Sequence, residues 1–177
     1  MWDVDTIAAL FPDFMRDLPI TTALVAPDGT IVQVDVAWRA FAAENGLPDP
    51  DAELGKNYFS VCPPDLRRKL GEVVDGARPD LSLVYACHAP KEARWMALVA
   101  VPLALKAPSP FLTMHFDMTR LLPPTAVKAT GTAERLPPMP RETAETIARM
   151  LEQTTLYAVS LARIRLVDAA SATWDDR

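Results

Sequence analysis

The chain has few of the residues that make metal and redox chemistry. Two cysteines and two histidines occur in 177 residues. Cys62 and Cys87 form no C-x-x-C pair, and neither has a histidine at zinc-ligand spacing. No metal site is expected, and the thiols read as small buried hydrophobes kept reduced. There is no Lys/Arg cluster either. With 18 basic against 23 acidic residues the formal charge is −5, so the electrostatic footprint for a phosphate backbone is missing and nucleic acid is not an expected partner. Long apolar runs are also absent: the longest, Met96 to Leu105, is well short of the roughly 20 residues that cross a bilayer. The N-terminal Met1-Trp2-Asp3-Val4-Asp5 is acidic where a secretory signal is basic. These features lead to the expectation of a cytoplasmic protein with no membrane contact. No repeat at a solenoid period is present.

Half of the residues are apolar, enough for one domain with extensions. Residues 1–18 carry Val4, Ile7, Ala8 and Phe11 at helical spacing, an amphipathic leader whose apolar face needs either the following domain or a second copy of the chain. Ala23–Ala26 and Ile31–Val34 flank Pro27-Asp28-Gly29-Thr30, and Asp-Gly supplies the positive φ of a tight hairpin. Ala37–Glu44 reads as a short helix stopped by Asn45-Gly46. Pro63–Gly76 reads as a second, with prolines at its start and Leu66, Leu70, Val73 and Val74 on one side. Strands follow at Leu81–His88, Arg94–Leu105 and Phe111–Asp117, the first two separated by Ala89-Pro90-Lys91-Glu92. Two strands, short helices and three strands make an α+β domain over 19–120, with a five-stranded antiparallel sheet and helices gathered on one face.

The last of these strands alternates: Leu112, Met114, Phe116 and Met118 are apolar, while Thr113, His115 and Asp117 are polar. One face reads as core, and the other faces either water or a polar cavity. Residues 121–140 hold five prolines and form a linker. In the helix expected over 141–168, Ile147, Met150, Thr154, Tyr157, Leu161 and Ile164 step by three and four along one side. That stripe would serve a coiled coil or dock on a domain; residues 169–177 are a tail.

Catalysis has little to work with. His115 and Asp117 are the sole acid/base pair that sequence proximity suggests, and i, i+2 residues of a strand share a face about 6.6 to 6.8 Å apart. No enzyme is expected.

Residues 21–119 resemble a PAS domain. The resemblance rests on the order and spacing of Asp28-Gly29, Val34-Asp35-Val36-Ala37-Trp38-Arg39-Ala40-Phe41, Gly55-Lys56-Asn57-Tyr58, Asp75-Gly76, Tyr85-Ala86-Cys87-His88-Ala89-Pro90 with Arg94-Trp95, and His115-Phe116-Asp117-Met118-Thr119. It is nearest the bacterial subgroup with a Tyr-Cys-His-Ser-Pro-like segment; Ala89 replaces the serine, and Asp35 stands where many members have Asn. The resemblance implies a sheet cupping a small cavity beneath its helices, a sensory or docking role, and dimerisation through flanking helices. Fold leaves the ligand open.

The resemblance also bears on cofactors. Light-sensing flavin members have a reactive Cys where this chain has Tyr58, and oxygen-sensing members carry a haem-ligating His on the helix that here, from Pro63 to Gly76, has none. Neither haem nor flavin is expected. His115 matches the flavin-contacting Gln, which would point it into the cavity, where it could meet a ligand carboxylate or change charge near neutral pH. Otherwise it is a core histidine bonded to Asp117, Tyr85 or a backbone carbonyl. His88 reads as closing a loop or as a metal ligand. The candidate ligand-binding residues are His115, Tyr85, Thr113, Met96, Trp38 and Phe59, though any core of this size would contain such side chains. The functional expectation is a stand-alone sensory protein that binds a small ligand, forms a homodimer and passes a signal to a partner; the alternative is a ligand-independent adaptor docking on a signalling protein such as a histidine kinase.

Overall fold

The computed structural model describes residues 4, 7, 19–47, 49, 51–88, 93–119 and 139–172, without the side chains of 88, 93 and 161–172. Five strands form one antiparallel sheet in the order β2-β1-β5-β4-β3: β1 Ile20–Val25, β2 Ile31–Val34, β3 Leu81–His88, β4 Ala93–Pro102 and β5 Phe111–Asp117. Between β2 and β3 lie α1 (Val36–Glu44), a 3-10 turn (Tyr58–Val61) and α2 (Pro64–Val74). A long helix, α3, runs from Arg141 to Ala172.

Local chemistry sets these boundaries. Asp35 caps α1, its side chain accepting from the Trp38 N–H at 2.7 Å, and Asn would do the same at this position. Gly46, at φ +92°, takes the left-handed position that ends α1. Pro63 and Pro64 open α2, where a missing N–H costs nothing. In the β1–β2 hairpin Gly29 has φ +90°, and a Cβ there would sit 2.6 Å from Phe59 Cδ2. The absent side chain lets the 3-10 turn close on the hairpin, with Tyr58 N–H donating to Gly29 O at 2.8 Å and Asn57 Nδ2 to Asp28 O at 2.9 Å. β4 ends at Pro102, earlier than its apolar run, because the Ser109 hydroxyl takes the Ala104 N–H at 2.9 Å and draws the chain out of the ladder.

Both faces of the sheet are covered. α1, the 3-10 turn and α2 lie over one, where Val25, Leu70, Val73 and Phe111 are fully buried. The other face carries Leu112, Met114 and Phe116 of β5 with Val99 and Val101 of β4, and buries Val4, Ile7, Ala158 and Val159 in the same cluster. The helices inserted between β2 and β3 thus gather on one face as expected, and the flanking segments cover the other, whose apolar side chains must also leave water. Val4 and Ile7, at 3% and 1% exposure, lie against this chain's own sheet, the first of the two surfaces open to the leader; Ala8 and Phe11 fall outside the described residues, as do residues 121–138 of the linker and 173–177 of the tail.

The C-terminal helix docks on a face that shares Ile147 with the expected stripe but not Met150 or Tyr157. Ala148, Thr155, Ala158 and Val159 are buried, with Ile147, Leu151 and Leu156 packed beside them, while Met150 and Tyr157 stand 62% and 59% exposed. Small side chains let the helix approach β3 and β4; the larger ones of the adjacent stripe face outward. Glu152 accepts from the Ser82 hydroxyl at this junction. The side chains of Leu161 and Ile164 are not among those described.

Candidate functional site

Beneath the 3-10 turn and α2 lies a cavity of about 630 Å³. Its walls are mainly apolar, with Ile31, Leu66, Leu83 and Leu98 contributing, and His115, Tyr58 and Tyr85 supply the polar atoms at its floor. The sheet register explains how they meet. His115 lies opposite Leu98 across the β4–β5 ladder, and Leu98 opposite Leu83 across β3–β4. Tyr85, two residues along β3, therefore reaches diagonally over β4 to the imidazole, while Tyr58 descends from the 3-10 turn.

The imidazole is held at both nitrogens. Tyr58 Oη lies 2.9 Å from Nε2 and Tyr85 Oη 2.8 Å from Nδ1; Tyr58 Oη also lies 3.2 Å from Thr113 Oγ1. Trp38 presents an edge to the ring, centroids 5.8 Å apart at 71°. Burial pushes the His115 pKa down to about 4, so the ring is neutral near pH 7 and does not change charge there. Of the two readings open from sequence, the geometry resembles the histidine bonded to Tyr85: imidazolium in this apolar enclosure would lose hydration, and among the described residues no carboxylate is bonded to the ring to offset the loss. Burial likewise raises the pKa of both tyrosines, keeping them as neutral hydroxyls.

The charges at the cavity wall cancel. Lys56 pairs with Glu53 at 2.9 Å and Lys69 with Asp65 at 2.7 Å. Asn57 spends its side chain on Asp28 O and the Phe59 N–H, and the Ser60 hydroxyl donates to Asn57 O. The Cys62 thiol donates to Tyr58 O at 3.2 Å, and burial holds it above the usual thiol range. Among the described residues no group of three His, Cys, Asp or Glu side chains could hold a metal ion, and no helix is long and apolar enough to cross a membrane.

Of the residues singled out from sequence, His115, Tyr85 and Trp38 come together at this cavity. Thr113 is bonded beneath Tyr58 and fully buried. Phe59 stacks on Phe111, centroids 6.0 Å apart at 10°, and packs the junction with Gly29. Met96 goes elsewhere: it faces a separate hollow with Phe41, Arg94 and Asp117. Asp117 engages the Thr119 N–H and Arg94 rather than His115, and the His88 side chain is not among those described. Sequence reasoning weighed Tyr58 only as a missing cysteine; its signal was that same alignment, which puts position 58 beside the cavity.

No family model matches the chain. A curated relative, the uncharacterized 104.1 kDa protein in the hypE 3′ region of Rhodobacter capsulatus, is 29% identical over 112 residues, covering 55% of this chain and 11% of that protein, so the chain spans about a tenth of its relative's length. Three solved structures are similar. The photoactive yellow protein domain of the sensor histidine kinase Ppr from Rhodospirillum centenum has 14% identity and a TM-score of 0.44, covering 58% of this chain and 95% of that one. A PAS domain from Colwellia psychrerythraea has 12% identity and a TM-score of 0.44, covering 66% and 98%. The PAS domain of BvgS from Bordetella pertussis has 19% identity and a TM-score of 0.43, covering 57% and 78%. With its five antiparallel strands in the order β2-β1-β5-β4-β3 and its short helices inserted between β2 and β3, this chain has the fold of a PAS domain.

Proposed function

We propose that this chain is a bacterial PAS sensory module, in which a small molecule occupies the cavity over His115 and its presence is passed through the sheet to α3 and on to a signalling protein. The observation that carries this reading is the cavity of about 630 Å³, a volume typical of small-molecule sites that are apolar apart from a few convergent polar groups. Its floor belongs to the strands on which α3 rests. Leu98 and His115 face the cavity; their strand neighbours Ala97, Val99, Met114 and Phe116 belong to the cluster that buries α3. Because close-packed layers transmit small displacements, an occupant that shifts β4 or β5 shifts the seat of the helix.

The chemistry favours binding over catalysis. The Cys62 thiol is held neutral by burial, and both nitrogens of His115 are taken by tyrosine hydroxyls, which leaves neither free for a haem iron. Native mass spectrometry and an absorption spectrum of freshly purified protein test the reading. A colourless protein carrying a small organic molecule, or binding one on addition, is expected; a Soret band or stoichiometric flavin absorbance would overturn the cofactor assignment.

A second reading, a ligand-independent adaptor, draws on the outward Met150 and Tyr157 of α3, apolar surface of the kind found at protein interfaces. In both readings the protein works in the cytoplasm as a homodimer with a signalling partner. Sedimentation velocity of the full chain checks the dimer, and a monomer at tens of micromolar would refute it.

A further inference from the structure

The cavity read above as a ligand site has a hydrogen-bond polarity of its own, set by the chain of groups Thr113, Tyr58, His115 and Tyr85. These are joined by contacts of 3.2, 2.9 and 2.8 Å. Each group brings a single hydrogen, since the imidazole is neutral, so three links leave one hydrogen over. Were Tyr58 to accept from both Thr113 and Nε2–H, the hydrogen left over would be its own, on a side chain only 5% exposed and with both neighbours already donating to it; two directional arrangements remain. If the links run from Tyr85 inward, Tyr85 donates to Nδ1, Nε2–H to Tyr58, and Tyr58 to Thr113. The Thr113 proton is then stranded: the residue is fully buried, and among the described residues its hydroxyl is bonded to Tyr58 alone. A stranded buried donor carries the full cost of its lost hydration. If the links run outward, Thr113 donates to Tyr58, Tyr58 to Nε2, and Nδ1–H to Tyr85, and the surplus proton is that of the Tyr85 hydroxyl. Tyr85 lines the cavity and is only partly buried.

Resting on that reading of the cavity, we infer that the network runs outward, fixes His115 as the Nδ1–H tautomer and presents the Tyr85 O–H as a neutral donor to an uncharged, largely apolar ligand bearing a hydrogen-bond acceptor such as a ketone or ester carbonyl. The lack of net charge follows from the wall. Its two lysines and the two carboxylates that pair with them cancel, and the remaining lining is mainly leucine, isoleucine and aromatic carbon. An anionic ligand would meet no unpaired cation there and would forfeit its own hydration.

The test has two parts. Nitrogen-15 NMR of the His115 ring in the full chain, near pH 7 and without added compound, reads the tautomer: Nδ1–H is expected, and Nε2–H overturns the inference. Calorimetric titration then compares 2-acetylnaphthalene with 2-ethylnaphthalene, which has the same shape without the acceptor, and with 2-naphthoate. The ketone should bind about tenfold more tightly than the hydrocarbon, the naphthoate more weakly than the ketone, and Tyr85→Phe should abolish the ketone's advantage while leaving the hydrocarbon's affinity in place. Equal affinity for ketone and hydrocarbon, or tightest binding of the naphthoate, refutes the assigned ligand class yet leaves the cavity a binding site. Failure of all three compounds to bind overturns the sensory reading of the cavity together with the inference.

Discussion

On β5, Leu112, Met114 and Phe116 are at most 1% exposed and packed with Val4, Ile7 and α3, whereas His115, between two of them, looks into a cavity and bonds two tyrosines. One strand thus builds a filled face and a hollow face by the period of two alone. The filled face is where stability should reside. The hollow face keeps room and polar atoms, and its tolerance of change is what makes occupancy a usable signal.

The sharpest way to break this comparison is to empty the filled face. Phe116→Ala should cost about 3–5 kcal/mol, since the site is close-packed on the side of α3 and cannot collapse without moving that helix. Leu66→Ala, in the cavity wall and only partly buried, enlarges a space that already exists and should cost about 1 kcal/mol. Urea unfolding of both variants measures the difference, and equal losses would dissolve the distinction between the faces.

The pH dependence of stability sharpens it next. The folded His115 pKa, about 4, lies below its unfolded value of about 6.5, so folding holds the ring neutral. The contribution is fully present above about pH 6.5 and is lost as pH falls toward 4, amounting to at most about 3 kcal/mol. Carboxylates titrate in the same window, so the measurement is wild type minus His115→Gln by urea unfolding at several pH values. The wild type should lose more than the variant on acidification, and parallel curves would contradict the buried neutral ring.

A smaller effect is expected at Tyr58→Phe. It removes the link between Thr113 and His115 without opening space, leaves the buried Thr113 hydroxyl unpaired and should cost about 1–3 kcal/mol. No loss in urea unfolding would mean the network does not hold the floor of the cavity.

Much of this fold could be read from the sequence, because its local punctuation agrees with its tertiary packing. Asp28-Gly29, Asn45-Gly46 and Pro63-Pro64 mark ends that the structure keeps, and β3 and β5 have the expected limits. β4 stops short of the expected Leu105 although its apolar run continues; what stops it is the Ser109 hydroxyl five residues on, a side-chain bond that hydrophobic periodicity does not contain. The docking face of α3 departs from the expected stripe at Met150 and Tyr157 for a different reason. Met150 and Tyr157 dominate any apolar pattern by size, yet Ala148 and Ala158 face the sheet because close approach of a helix rewards small side chains.

The site was half legible. His115 stood out as a polar residue on an alternating strand, Tyr85 as an aromatic residue that could bond it, and the family resemblance aimed His115 at the cavity. Met96 was chosen as a pliable apolar residue, but its partner across the ladder is Tyr85, whose ring leans two residues away toward His115, so Met96 is left facing another hollow. The charge state of His115 stayed open in the sequence, since the surroundings of the ring depend on Trp38, Tyr58 and Leu98, three segments that sequence alone does not bring together.

The central claim is that filling the cavity is felt by α3 on the far side of the sheet. Hydrogen exchange of the α3 amides between residues 147 and 160 tests it directly, comparing wild type with Leu66→Trp, a variant that places an indole in the cavity, with nuclear Overhauser contacts to Tyr85 verifying its position. The account predicts that exchange in this helix changes by about fivefold or more while the global stability stays within about 1 kcal/mol. Unchanged exchange in α3 with the indole seated against Tyr85 would contradict it.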